Sequence, residues 1–337
     1  MKEESQEKVD ISLIKAISHR YNFSADDLNF IIAIDNNFVY SFSMDKKEYI
    51  LRGGTRHSAD QVQAELEWIL FLDANNVKVS VPILSKNNRY MEIVEHNGEE
   101  ICAVVFDKAH GRDVCWNDPN EWNEELWQEM GRVLGAMHSV AVKYNSMKPK
   151  FKRKTAFESA HGTAENHLDL VKDEHIIKRF NDLKKKISML PKEEEAYGLI
   201  QYDFHPANFK ILNGEITLYD FDDSYYFFFI YDIATCIHEI VYYYPKDEKQ
   251  NFLNHFIPAL WKGYSEKHHL NRKWLEYLPD FFKWREFTIY ISLVETVNDK
   301  TTPEEFKVEA EEYLPIFRAM VETDKPSMII PEDRLWI

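Results

Sequence analysis

The sequence predicts an α+β protein of two lobes, a β-rich N-lobe followed by a mainly helical C-lobe. Length is the first reason. At 337 residues the chain exceeds the span over which a single hydrophobic core usually grows, so two cores are expected. The second reason is the hydrophobic pattern, which is strand-like in short runs before Gly111 and helix-like almost throughout from residue 121. Composition is the third: 45% hydrophobic and 14% aromatic residues supply what a folded core needs.

Residues 9–20 carry an amphipathic helical pattern. Strand-like runs follow at 28–43 ("LNFIIAIDNNFVYSFS") and 48–52 ("EYILR"), with "DNN" and "MDKK" as turns, which gives a meander of three strands. "SADQVQAELEWILFLDANN", 58–76, opens on Ser58 as a helix cap and repeats apolar residues at Val62, Leu66, Ile69 and Leu70 before Asn75 and Asn76 end it. "VSVPIL", "YMEIVEH" and "EEICAVVFDKAHG" read as three more strands, the last running into a polar connector over 106–112. The expected lobes are therefore 1–110 and 111–337.

Helical periodicity then covers 121–142, 164–190, 229–243, 247–266 and 275–298, broken by the strand-like "EITLYDF" at 215–221. The prolines of the closing stretch, "DKPSMIIPEDRLWI", argue against a helix there. No internal repeat or low-complexity tract is present.

Charge and cysteine content narrow the function. With 41 basic against 57 acidic residues, a net charge of −16, the chain lacks the basic balance of a nucleic-acid binder, and it suits a cationic small substrate. Cys102, Cys115 and Cys236 are far apart in sequence, so neither a disulfide framework nor a cysteine zinc site is expected, and a reducing compartment fits. The charged start "MKEESQEKVD" is unlike a signal peptide, and no apolar run reaches the roughly 18 residues of a membrane span. These features predict a cytoplasmic protein with no membrane partner. Nothing in the sequence fixes an oligomeric state.

The chemistry concentrates in "LIQYDFHPANF", 199–209, and "LYDFDD", 218–223. Acids and an amide set in apolar stretches are costly unless paired or bound to a cation. Protein kinases use an Asp, four residues, then Asn: the Asp accepts the proton of the acceptor hydroxyl and the Asn holds a metal ion. Asp203 and Asn208 have that spacing. Asp220, at the end of a strand-like run, has the place of the second Asp, which ligates metal between the nucleotide phosphates.

At these residues the chain resembles the aminoglycoside phosphotransferase family, the protein-kinase-like small-molecule phosphotransferases that include choline and homoserine kinases. The family form is His-Gly-Asp-Leu-His-Pro-Gly-Asn, then Ile-Asp-Phe-Asp-Asp and Tyr-Asp-Leu-Ala. Here it reads "QYDFHPAN", "LYDFDD" and "YDIA". "EYILRGG", "QAELEWILFLDANNVKVSVPI", "VVFDKAHG" and "MGRVLGAMHSVA" extend the resemblance over nearly the whole chain.

The resemblance implies a two-lobed protein-kinase-like fold and an ATP- and Mg²⁺-dependent transfer of the γ-phosphoryl group to a hydroxyl of a small molecule. It implies Asp203 as catalytic base, Asn208 and Asp220 as magnesium ligands, and Asp232 as a structural support. The 1–110 lobe would bind nucleotide and the 111–337 lobe would carry catalysis and substrate. The family's phosphate-binding lysine falls on Arg52 and its helix partner on Glu65. With the connector aligned on Gly111, Phe106 takes a gatekeeper-like place, and backbone groups of Asp107 and Ala109 would pair with adenine.

The chain departs from the family form at three points. Gln201 and Tyr202 stand where the family has His-Gly, and Gln201 can still donate and accept hydrogen bonds if the His braces the loop. Arg52 keeps the lysine's charge but not its shape. No Gly-rich loop precedes it, and Asn36 and Asn37 supply the turn instead. These departures keep a second reading open, a catalytically weak kinase-like protein that binds nucleotide or a partner, and a Ser/Thr protein kinase-like member is a third.

Other chemistry-bearing residues have bland readings. His205 suits loop packing better than metal ligation, and His138 and His238 lie on helical patterns as core or surface histidines. "SYYFFFIY", 224–231, reads as C-lobe core rather than pocket lining. Trp284, Arg285, Glu286 and Glu295 interrupt an apolar stripe, either as internal ion pairs or facing the acceptor. "KPKFKRK", 148–154, reads as an exposed basic loop.

Overall fold

A computed structural model describes residues 9–34, 36–158, 167–242, 248–300 and 302–325. The chain divides into two compact units, one of Met1–His110 with Pro149–Lys152, the other of Gly111–Lys148 with Arg153–Ile337.

The first unit is built on a five-stranded antiparallel sheet in the order β1-β2-β3-β5-β4. Its strands are β1 (Asn29–Ile34), β2 (Asn37–Met44), β3 (Lys47–Gly54), β4 (Met91–His96) and β5 (Glu99–Asp107). Period-two alternation places Phe38, Tyr40 and Phe42 of β2 on one buried face, where they meet Leu13, Ile14 and Ile17 of α1 (Ile11–Ser18) and Leu51, Ala103 and Val105 of the neighbouring strands. Helix α2 (Ala59–Ala74) follows β3. Ser58 occupies its N-cap position, yet its side chain makes no capping hydrogen bond.

"VSVPIL" is not a strand. Pro82 has no N–H to give a ladder, so the segment makes only isolated bridge contacts, at Val79 and from Pro82 to Phe106, the latter flanked by Ile83 N–H to Val105 O and Asp107 N–H to Val81 O.

The second unit is mainly helical. Its helices are α3 (Glu124–Ser146), α4 (Glu174–Ser188), α5 (Phe229–Tyr242), α6 (Lys249–Ser265), α7 (Leu278–Asn298) and α8 (Glu304–Val321). The sequence pattern anticipates all but α8, which bends the rules by holding Pro315 inside it. Helices α3 and α6 pack closely because both are notched by glycine: a Cβ on Gly131 would lie 2.0 Å from Leu260 O, and one on Gly263 would lie 1.8 Å from Gln128 O.

Two small antiparallel pairs are set among these helices. β6 (Tyr197–Ile200) pairs with β9 (Tyr225–Phe228), and β7 (Phe209–Leu212) pairs with β8 (Glu215–Leu218). The β7–β8 turn is Asn213-Gly214, both at positive φ, the sequence such a hairpin turn favours. "SYYFFFIY" is core, with β9 buried along its whole length and running directly into α5. The closing stretch 326–337 lies outside the described residues, as does 164–166 of the expected 164–190 helix. No helix among the described residues is long and apolar enough to cross a membrane.

Candidate active site

The second unit's candidate residues sit in the two connections that join these strand pairs, 201–208 and 219–224. The first begins at Asp232, near the start of α5. Its carboxylate is fully buried and accepts the backbone N–H of Tyr202 at Oδ1 (2.8 Å) and of Gln201 at Oδ2 (3.2 Å). Burial pushes the Asp232 carboxyl up to about 8. His138 of α3 lies 3.2 Å from the same Oδ2, bonds the Tyr264 hydroxyl through Nδ1 (2.8 Å) and stacks on Phe229. Burial lowers its pKa to about 3, so the ring is neutral. His138 is a core histidine, and Asp232 has the supporting place that the sequence resemblance implies.

Tyr202 has φ +72°, the left-handed region that favours glycine, which explains why the family form has Gly at this position. The tyrosine is held there by its ring. It packs against Tyr225, Phe227 and Tyr231, and its hydroxyl accepts from Trp284 Nε1 (2.9 Å). Gln201 replaces histidine by donating from Nε2 to the carbonyls of Tyr219 (2.9 Å) and Asp220 (3.2 Å), which ties the first connection to the second. Tyr219 adds two more ties: its N–H donates to Asn208 O (3.0 Å), and its hydroxyl donates to Ala207 O (2.6 Å). Asn208 and Asp220 are thereby brought together, Asp220 itself exposed and at φ +61°.

Asp203 is gripped from both sides. Asn208 Nδ2 donates to its carbonyl (2.9 Å) and to Oδ2 (3.2 Å), and His205 Nε2 lies 3.1 Å from Oδ2. Oδ1 accepts from Arg285 Nη2 of α7 at 2.7 Å. Arg285 is held in turn by Glu239 of α5, whose Oε1 accepts from Nε (3.0 Å) and Nη2 (2.8 Å). Burial by itself would raise the Asp203 carboxyl, but the charges of Arg285 and then His205 hold it well below the usual carboxylate range. Glu239 follows the same logic, burial opposed by Arg285, and falls to about 2. His205 is raised, because the Asp203 charge outweighs its burial. The group is thus a carboxylate, with its two oxygens differently engaged.

Arg285 and Glu239 were not among the expected site residues, and each leaves a trace in the sequence. Arg285 is a charge in an apolar stripe, and Glu239 lies seven residues after Asp232, on the same helical face. Arg153 corrects a second expectation. It belongs to the basic run 148–154, yet it is buried over the Tyr225 ring, with Nε donating to Ser224 O (2.7 Å) and Nη2 to Asp222 O. Its guanidinium braces the segment that follows Asp220 rather than facing an anionic ligand.

In the first unit, Arg52 of β3 meets Glu65 of α2 in a two-pronged ion pair, Nη1 to Oε1 at 2.9 Å and Nη2 to Oε2 at 2.7 Å. Its guanidinium lies 5.3 Å from the centre of the Phe106 ring. Planar fork and ring stacking are properties of arginine that lysine lacks. Asp107 N–H donates to Val81 O and its carbonyl accepts from Ser80 Oγ, so the 79–84 segment engages both backbone groups expected to pair with adenine. Ala109 lies beyond the end of β5, among residues outside the ladder.

The donor set suits a nucleotide-bound hard cation. Asn208 turns its amide nitrogen to Asp203, which leaves the amide oxygen as the atom a cation would take, and Asp220 has an exposed carboxylate. Among the described residues no group of three or more His, Cys, Asp and Glu side chains could hold a metal ion. An ion here would draw its remaining ligands from phosphate and water, as magnesium does.

The model of the phosphotransferase enzyme family matches residues 32–274. This chain belongs to that family. It is 34% identical over 314 residues to the amicoumacin kinase of Bacillus subtilis (strain 168), covering 91% of this chain and 90% of that protein. A solved amicoumacin kinase, hAmiN in complex with AMP-PNP, Ca²⁺ and Ami, matches with a TM-score of 0.85 at 28% identity, over 99% of this chain and 100% of that one. A microcompartment-associated aminopropanol kinase (TM-score 0.68, 20% identity, 93% and 97% covered) and a spectinomycin phosphotransferase (0.62, 15%, 94% and 96%) share the fold. The phosphotransferase therefore has the two-lobed protein-kinase-like fold, and it is an ATP-dependent small-molecule kinase.

Proposed function

We propose that this phosphotransferase moves the γ-phosphoryl group of ATP to a hydroxyl of amicoumacin, with Asp203 as the base. The acceptor is inferred from likeness to two amicoumacin kinases over nearly the whole chain. The observation that carries the mechanism is the gripped Asp203 carboxylate, ionised and fixed by Arg285, His205 and Asn208.

In this reading the acceptor hydroxyl donates to Asp203, which aligns its oxygen with the γ-phosphorus. As the new P–O bond forms, the bond to the β–γ bridging oxygen breaks, ADP departs and the hydroxyl proton passes to Asp203. Such a depressed carboxylate is a weak base, so its main contribution is orientation, with proton transfer late. Asn208 and Asp220 would hold the divalent cation, which when bound would supply charge neutralisation for the phosphates. Arg52, fixed by Glu65, is the first unit's candidate for the phosphates, and Phe106 and Ala109 are its candidates for the base. The braced loop favours turnover over a weak binding protein, since Gln201 Nε2 and the Tyr202 N–H keep its ties in place.

ADP release from Mg-ATP with amicoumacin, followed by mass spectrometry of the product, tests this. A monophosphorylated amicoumacin is expected. Turnover with an aminoglycoside or amino alcohol but none with amicoumacin would move the acceptor elsewhere.

A further inference from the structure

Resting on the reading of Asp203 as the base, we propose that Arg285, locked by Glu239, is the residue that positions Asp203 for the acceptor hydroxyl. A carboxylate has two equivalent oxygens and rotates easily about its last bond. Arg285 removes the equivalence. Its 2.7 Å bond to Oδ1 is the shortest that Asp203 makes, whereas the His205 and Asn208 contacts at Oδ2 are 3.1 and 3.2 Å. Oδ1 is thereby committed to α7, and Oδ2 stays on the side of Asn208, the proposed metal ligand.

Glu239 decides whether Arg285 can do this. Nε and Nη2 form one edge of the planar guanidinium, and both donate to a single oxygen, Oε1. That grip fixes the plane, and the second hydrogen on Nη2 then points at Asp203 Oδ1. The three residues come from the 201–208 connection, α5 and α7, and all three are largely removed from solvent, so none of the contacts is a mobile surface pair. The helix that carries Glu239 also carries Asp232, which holds the start of the same connection. One rigid helix therefore fixes both the backbone and the carboxylate of the base. Lysine could not substitute fully, because a single ammonium on a flexible stem lacks the shared edge.

The test compares Arg285→Ala, Arg285→Lys, Glu239→Gln and Asp203→Asn, measuring ADP release with amicoumacin and, independently, slow ATP hydrolysis with water as acceptor. Mg-ATP affinity is measured by calorimetry. We expect Arg285→Ala to lower kcat by about 10 to 100-fold with KM for ATP within about twofold, and added guanidinium to restore part of the rate. Arg285→Lys should fall between, and Glu239→Gln should cost roughly tenfold alone and little more in the Arg285→Ala background. Wild-type kcat in Arg285→Ala beside a crippled Asp203→Asn would overturn the positioning role and leave the base intact. Wild-type turnover in Asp203→Asn would overturn the base reading itself. A loss in Arg285→Ala that guanidinium does not restore, or that comes with lost Mg-ATP binding, would show a structural role only and also overturn the inference.

Discussion

Asp232 holds the backbone N–H of Tyr202 at 2.8 Å while Tyr202 sits in the left-handed region at φ +72°. Two effects oppose each other here: the conformation costs a side-chain-bearing residue about 1–2 kcal/mol, and the buried ring with its bond to Trp284 repays it. Removing a buried aromatic side chain costs about 3–5 kcal/mol, so packing outweighs strain. Tyr202→Gly is expected to lower stability by roughly 2–4 kcal/mol despite restoring the family's glycine, and Tyr202→Phe by only about 1 kcal/mol, the value of one hydrogen bond. Urea denaturation of both variants decides it; a stabilised Tyr202→Gly would mean that strain dominates.

The buried histidine sets an acid limit. His138 has a folded pKa near 3 against an ordinary 6.5, so the unfolded chain binds an extra proton between these values. The stability that the neutral His138 contributes is complete above about pH 6.5 and is lost as pH falls toward 3, by about 1.4 kcal/mol per unit. His268, lowered to about 4 by burial, adds to the slope. Asp232, raised to about 8 by burial, works the other way: its folded-state proton favours the fold at low pH, and that contribution fades as pH rises toward 8. His138→Gln should be less stable at pH 7.5, because Tyr264 and Asp232 lose their partner, yet fall less steeply between pH 6.5 and 4.5. Denaturant midpoints across that range provide the check, and an unchanged slope would reject the assignment.

Close packing of α3 on α6 depends on hydrogen atoms at two glycines. A methyl on Gly263 would fall 1.8 Å from the backbone carbonyl of Gln128, and neither helix backbone can yield without separating. Gly263→Ala is expected to cost more than about 2 kcal/mol even though alanine favours a helix by about 1 kcal/mol. Thermal unfolding that shows a rise in Tm would refute the contact.

Much of the architecture could be read from residue patterns. The meander at 28–52 was legible from the alternation of β2 and from the turn residues of "DNN" and "MDKK". β9 escaped because Tyr225–Phe228 is buried on both faces and so shows no alternation before α5 begins. Helix α8 was not anticipated; it holds Pro315 inside it, as α6 holds Pro258. In the site, Asp203, Asn208 and Asp220 were legible because they fall within 18 residues of one another. Arg285 and Glu239 were not, since partners 82 and 46 residues apart in sequence meet only through the packing of α5 and α7. Arg153 misled for a related reason: five cations in seven residues predict a solvated loop, and only the fold shows that one of them turns inward.

Asp220 is assigned to the metal rather than to the proton. Asp220→Ala should therefore weaken magnesium-dependent ATP binding and abolish turnover together, because the cation bridging the phosphates loses its carboxylate. Calorimetric titration of the folded variant with ATP, with and without Mg²⁺, measures this. Wild-type binding would place the metal carboxylate at another residue.

The most direct test of the account is phosphoryl transfer by Asp203→Asn at saturating Mg-ATP and acceptor. Asparagine keeps the shape of the group and loses its charge and basicity, while Asn208 and Asp220, the proposed metal ligands, are not themselves changed. Turnover should fall by roughly 10² to 10⁴, the usual contribution of a positioned base, with Mg-ATP affinity close to that of the unmodified enzyme. Turnover within a few-fold of the unmodified enzyme would contradict Asp203 as the residue that orients and deprotonates the acceptor.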